Sequence, residues 1–332
     1  MNWDRAKVPI AVVVLALIPL VVFDPQLSFI SRIFTQFLMF ATLALALNVA
    51  FGHTDQLLLF TGGIVGVGTY TTMALASALG VSLWVTFLFG GLFAGVIGLV
   101  VCYVAARRRL NVIVISILTI ALQLAMIQTF QSLRDITGGN TGMSAPVIDK
   151  GALTAALGLD SLTFLYYVFL VLLTALMAVY WYLTHSKYGL AFDTIRQDEV
   201  AAESTGVPVV RYKAIAGFIT TFFMGLVGPF YIQIGNYVTP GMFTFGTIDV
   251  LVLIILVVGG MRTLYGPIVG AAIVVFLNDA LQQVAEYRTM IWGLLLIFLF
   301  LFFRNGIVPF VRTRVVERYD LEERILGDRA TR

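Results

Sequence analysis

The chain has 332 residues, of which 60% are hydrophobic and only 12% charged, with a mean hydropathy of +0.96 and a net charge of +3. A soluble domain carries about 25% charged residues, so this composition excludes a water-soluble globule and points to an all-α polytopic membrane protein. A β-barrel is excluded by pattern, because barrel strands alternate apolar and polar residues and these runs are solidly apolar. One cysteine, Cys102, and two histidines, His53 and His185, argue against a disulfide and against a metal site. The basic residues sit between apolar runs and at the C-terminus, which does not suit a nucleic-acid face.

A hydrocarbon core of about 30 Å needs roughly 20 apolar residues per helix. That ruler predicts about ten candidate spans, near 8–23, 31–51, 57–79, 82–105, 110–130, 162–184, 212–235, 247–261, 266–284 and 289–303. The first, eighth and tenth are short for a full crossing. The first follows Arg5 and Lys7 as a signal peptide would. It ends at Asp24-Pro25 without a small-x-small cleavage pattern, and is expected to be a retained helix.

Loop charge sets the expected orientation. With the N-terminus cytoplasmic, Arg107 to Arg109, the loop 185–213, Arg262 and the tail 304–332 all fall inside. The long loop 131–161 falls outside, on the periplasmic face. It carries Arg134 and Lys150 against Asp135, Asp149 and Asp160. The whole of 1–332 is expected to form one transmembrane domain with both termini inside.

Small residues four apart occur at Gly62 and Gly66, Gly91 and Gly95, and Gly266 and Gly270. Such spacing lets helix backbones approach closely in lipid. The outer loop holds TGGNTGMSAP, Thr137 to Pro146, which is turn chemistry. It lacks the GK[ST] and preceding strand of a phosphate loop.

No constellation of catalytic groups is present. His53 beside Asp55 suits a polar cap, His185 an interfacial position, and Cys102 a small apolar filler. Asp249, and Asp279 beside Asn278, are ionisable residues inside apolar segments, a functional hypothesis by default. Both fall near expected outer ends, where water could reach them. They leave open an ion-coupled secondary transporter, which would move substrate without a partner.

The polar stretch Ser186 to Lys213 contrasts with everything around it. It holds Lys187, Asp193, Arg196, Asp198, Glu199, Glu203, Arg211 and Lys213. It is expected to be a cytoplasmic helix from about Gly189 to Thr205, stopped by Gly206 and Pro208. Phe192, Ile195, Glu199, Ala202 and Gly206 recur on one face, with small residues that let another protein sit close. Glu199 and Glu203 are a like-charge pair at i,i+4, unfavourable alone and relieved by a basic partner. The alternative is a solvated connector between two spans.

Glu199-Val200-Ala201-Ala202 followed by Gly206 resembles the EAA loop of ABC-importer permeases, a short helix that docks into an ATPase. The wider chain resembles the branched-chain amino-acid permease family, in its LivM-like branch. The resemblance is carried by residues 43–70, 137–146, 186–207 with the following Arg211-Tyr212-Lys213, 257–271 and 302–309. It departs where the family commonly reads G-Q-L-S-L-G and this chain has Asp55 to Phe60, and where Asp249 replaces a small polar residue. The resemblance implies an inner-membrane importer subunit for branched-chain or other hydrophobic amino acids, or for urea, short amides or small aromatic acids. It implies Glu199, Ala201, Ala202 and Gly206 as ATPase-coupling residues. Asp55, Gln56 and Asp249 would lie near the pathway or its gates. The implied partners are a second related permease, two cytoplasmic ATPases and a periplasmic binding protein. ATP would be bound by those partners and no cofactor by this chain.

Overall fold

The computed structural model describes residues 12–19, 23, 28–144, 160–281, 290, 293–294 and 306–310. Nearly all of the expected span at 289–303, the loop segment 145–159 and the tail beyond 310 lie outside the described residues. Within them the chain is a bundle of helices. A short stretch, α1, covers 12–19. Five long helices follow: α2 (Ser28–Leu47), α3 (Thr61–Leu79), α4 (Leu83–Arg107), α5 (Val112–Ser132) and α6 (Ser161–Thr184). The polar stretch forms α7 (Lys187–Gln197) and α8 (Glu199–Ser204), and the bundle resumes with α9 (Val209–Tyr231), α10 (Asp249–Gly259) and α11 (Gly266–Ala280).

Among the described residues six helical runs are long and apolar enough to cross a membrane, including Phe29–Gly52 and Val209–Ile234. This is a multi-pass, all-α membrane protein. At 1.5 Å per residue, α10 and α11 reach only about 16 and 22 Å. α10 does not fill the span expected at 247–261, because turns at Gly246 and Gly260, both with positive φ, bound it on either side, and the end of the span expected at 266–284 lies outside the described residues.

Glycines set how closely the inner helices pack. α9 lies along α4 and α3, while α2 contacts α6, α11, α9 and α10. A Cβ at Gly68 would come within 2.6 Å of the Gly225 Cα, so α3 and α9 touch backbone to backbone. Cys102 is fully buried against Gly217 at the α4–α9 seam, the apolar filler expected of it. By contrast α5 contacts α3 and little else among the helices.

Two segments outside the long helices enter the bundle. Residues 55–60 run extended into α3, so α3 starts at Thr61 rather than at the expected 57. From the other side, the one-turn helix Pro240–Phe243 packs on α3 and α5. Outside it, Met143–Ser144 (β1) pairs antiparallel with Tyr237–Val238 (β2). The glycines of 138–142 are used for the turn that brings β1 there, with Gly138, Gly139 and Gly142 all at positive φ.

Candidate functional site

The polar stretch is two helices, not the single one expected over 189–205. Asp198 is extended, and its carboxylate accepts from the Val200 and Ala201 amides at 2.8 and 3.1 Å. An aspartate in that role begins a helix rather than continuing one. The inward face holds Phe192, Ile195 and Ala202, all buried, with Ile195 and Ala202 packed on Val209. Of the four expected coupling residues, Ala202 is therefore an internal contact. Glu199 is ion-paired to Lys213, whose side chain is 4% exposed. Glu203 is paired to Arg109 at 2.7 Å. The like-charge pair is thus relieved by cations within the chain itself. Ala201 and Gly206 are exposed, together with Leu190 and Val200, two large apolar side chains 74% and 65% exposed.

These helices grip the ends of three others. The Arg196 guanidinium donates to the Gly52 carbonyl and lies 3.3 Å from the Asp55 carboxylate. Asp193 pairs with Arg262 at 2.8 Å in the turn between α10 and α11. Gly52 closes a π-turn, Asn48–Gly52, that ends α2. Asn48, fully buried, donates to the Tyr180 hydroxyl and the Thr263 carbonyl at 3.2 and 2.9 Å and accepts from the Arg262 amide at 2.9 Å. His53 Nε2 lies 2.7 Å from the Tyr180 hydroxyl. Just beyond the end of its span, His53 is pushed down to about 4, first by burial and then by the Arg262 charge, so it is neutral at pH 7. Gln56, also buried, donates to Thr54 Oγ1 at 2.8 Å and to the Lys213 carbonyl at 3.0 Å. Asp55 sits at φ 51, a left-handed residue at the entry to the extended segment. His185 stacks on Trp181 and is exposed, as an interfacial residue would be.

A second polar cluster lies halfway along α5. Asp249 is 1% exposed, not open to water at an outer end as expected. It accepts from the Gly62 amide at 3.1 Å and from Gln123 Nε2 at 2.7 Å. Gln123 also donates to the Phe243 carbonyl and accepts from the Gly63 amide, at 3.1 and 3.3 Å. Phe60 offers α3 no side-chain cap, so Asp249 caps α3 from another helix while heading α10 itself. Helix N-termini carry partial positive charge and free N–H donors. Two of them meet this one carboxylate and offset part of the cost of its burial. Asp279 is half-buried on α11 and belongs to neither cluster.

The sequence reading missed Asn48, Tyr180, Arg196, Arg262, Lys213 and Gln123 as contact-makers. One signal was available. Ser116, Thr119 and Gln123 recur at i, i+3 and i+7 within the otherwise apolar run 112–127, a stripe that faces inward. Ser116 donates to the Leu57 carbonyl at 3.4 Å and Thr119 accepts from the Leu59 amide at 3.0 Å. They satisfy backbone groups that the extended segment cannot pair with itself, as an apolar surrounding demands. The glycine pairs divide by neighbour. Gly62 and Gly66 face the Asp249 cluster and Phe243, Gly91 and Gly95 face Leu226 and Phe218 of α9, and Gly266 and Gly270 face α10.

Residues 29–302 match the family model described as branched-chain amino acid transport system / permease component. The chain belongs to this family. It is 28% identical over 300 residues to the high-affinity branched-chain amino acid transport system permease protein LivM of Escherichia coli (strain K12), covering 84% of this chain and 69% of that protein. It is 27% identical over 303 residues to the LivM of Salmonella typhimurium (strain LT2), covering 85% and 70%. No solved structure matches the chain. As a permease component it is a transport subunit rather than an ATPase, and it works with other subunits.

Proposed function

We propose that this permease component is one membrane half of an ATP-driven importer of branched-chain or other hydrophobic amino acids, working by alternating access. The observation that carries this reading is the α7–α8 element. It is locked to the bundle by Arg196, Asp193, Lys213 and Arg109, yet presents Leu190, Val200, Ala201 and Gly206 outward. Exposed apolar residues on a rigid polar element mark a protein-docking surface. In this scheme the loop 185–213 is cytoplasmic and meets an ATPase that binds the ATP. The other partners are a second related permease, a second ATPase and a periplasmic binding protein, with the assembly in the bacterial inner membrane and both termini inside. The names of the two LivM relatives support branched-chain amino acids as the substrate.

ATPase closure would displace α7 and α8 together. Arg196 passes that displacement to Gly52 and Asp55, and Asp193 passes it to Arg262. The π-turn and the extended segment with Asp55 and Gln56 are the elements able to take up the change, since neither is locked in a regular helix. Such switching needs two discrete packings a few kcal/mol apart. Asp249 holds the start of α3 at the far end of that segment.

The test is co-purification of the tagged chain with its ATPase, comparing the parent with Val200→Glu and Ala201→Trp. Both sites are exposed and make no ion pair, so folding is retained. The expected result is loss of the ATPase and of ATP-dependent uptake with the bundle intact. Full ATPase retention in both variants sinks the coupling assignment. Uptake by the chain alone in liposomes without ATP sinks the importer reading and favours a secondary transporter.

A further inference from the structure

A groove of about 750 Å³ lies where the last turns of α4 meet the first turns of α9. Leu99, Val210 and Ile215 give it an apolar lining, and Arg107 and Arg211, both exposed, line it as well. Glu203 also lines it, but that carboxylate is held by Arg109 at 2.7 Å. Among the described residues the groove thus holds two cations, and its lining carboxylate is already paired outside them, with Arg109. One nitrogen of Arg107 donates to the Tyr103 hydroxyl at 2.9 Å, which fixes the guanidinium and leaves its other donors available. Among the described residues Arg211 has no side-chain hydrogen-bond or ion-pair partner. α9 also begins here, behind Pro208, with no side-chain cap. Its amide donors and partial positive charge add to the same potential.

The apolar lining is not isolated. Leu92, Val96, Leu99 and Val100 of α4 are exposed along the helix, forming a continuous apolar path that ends at the arginines. α4 is 25 residues long and crosses the bilayer, so its last turns lie at the level of the headgroups. Acyl-chain contacts below and unpaired arginines above describe one chemistry.

We propose that this groove binds an anionic phospholipid, with the phosphate between Arg107 and Arg211 and one acyl chain along Leu99 and Ile215. A zwitterionic lipid offers the same phosphate but adds a cation that the arginines repel. The inference rests on membrane insertion alone and stands whether or not the importer reading does. Gly206 and Glu203 line the groove too, so the lipid would sit against the α8 element.

The test is native mass spectrometry of the detergent-solubilised chain titrated with phosphatidylglycerol or phosphatidylcholine. Phosphatidylglycerol should bind at least tenfold more tightly. A juxtamembrane arginine contributes about 1 kcal/mol toward an anionic lipid, so R107Q/R211Q should weaken phosphatidylglycerol binding roughly 10- to 30-fold. Ile215→Trp fills the groove with both charges intact and should also lose the tight lipid. Arg134→Gln, at the opposite end of α5's span, should change nothing. Equal affinity for the two lipids overturns the proposal, as does an equal loss in Arg134→Gln. Unchanged lipid binding in R107Q/R211Q with loss of a co-purifying ATPase also overturns it, by making the groove a protein-docking surface.

Discussion

Helices α2 and α5 look alike as sequence, and the structure uses them in opposite ways. Both are long, uncharged but for Arg32 in α2, and apolar, α5 if anything the more so. Yet 83% of the apolar 18-residue core of the span containing α2 is buried inside the protein, against 33% of the corresponding stretch of α5. α2 sits among α6, α9, α10 and α11, whereas Ile113, Ile117 and Leu124 of α5 point away from the bundle. Lipid tails are as apolar as leucine, so a hydrophobic side chain gains little by choosing protein over bilayer. What separates the two helices is packing and hydrogen bonding. α5 hydrogen-bonds to the bundle through the polar stripe Ser116, Thr119 and Gln123 and packs Met126 and Phe130 against α3.

The sharpest way to break this contrast is to enlarge a residue at the inner seam. Gly68→Leu forces α3 off the Gly225 backbone and should cost about 3 kcal/mol, the upper end for overpacking, read as a lower unfolding temperature in lipid or detergent. Asp249→Ala tests the polar stripe. It leaves the Gly62 amide and one Gln123 N–H without an acceptor and should cost about 2 kcal/mol, with Asp249→Asn milder because an amide oxygen still accepts. Leu43→Ala, at a fully buried position of α2, opens a cavity. In a bilayer the transfer contribution largely disappears and the lost contacts remain, so about 1 to 2 kcal/mol is expected. Ile117→Ala, 62% exposed on α5, should stay within about 0.5 kcal/mol, since an acyl chain fills the gap. Equal losses at Leu43 and Ile117 would show that α5 is covered by another protein chain rather than by lipid.

The clamp at the α7 end adds a pH-dependent test. His53 binds its proton near 4 in the folded protein against 6.5 when free. The unfolded chain therefore takes up a proton first as pH falls. The contribution of neutral His53 is complete above about 6.5 and is lost progressively toward 4. The unfolding temperature should drop across that window, and His53→Gln should flatten the slope. An unchanged slope would mean that His53 is not held neutral against Tyr180.

The structure also changes which substitutions test coupling. Glu199→Lys and Gly206→Trp look from sequence like changes to a docking face. In the fold, Glu199→Lys sets a second ammonium against buried Lys213, and Gly206→Trp meets no neighbour but is strained by φ +86. Either would damage the chain itself. Val200 and Ala201 are free of both faults.

Much of the architecture was legible because apolar runs of membrane length have one stable backbone in lipid, the helix. Long helices stand near most of the expected spans from α2 to α9, and the polar stretch is helical where its pattern said. The exceptions have physical causes. Residues 57–60 are as apolar as a helix start, yet they run extended because Ser116 and Thr119, some 60 positions away, supply their missing hydrogen bonds. The 189–205 helix divides because Asp198 turns its carboxylate onto the next two amides, a choice that depends on local backbone geometry rather than residue type.

By itself the sequence determined that the chain is a helical membrane protein, where most helices run, and which family it resembles, since composition, hydropathy and ordered motifs are local properties of the chain. The tertiary structure alone decided which apolar helix is central and which peripheral, that Asp249 is a buried cap on α3, and that the charges of α7 and α8 are spent largely on the chain's own helix ends. Most of those outcomes depend on contacts between residues 60 to more than 200 positions apart. Hydropathy cannot foresee them, because water-avoiding surface is satisfied equally by protein and by lipid.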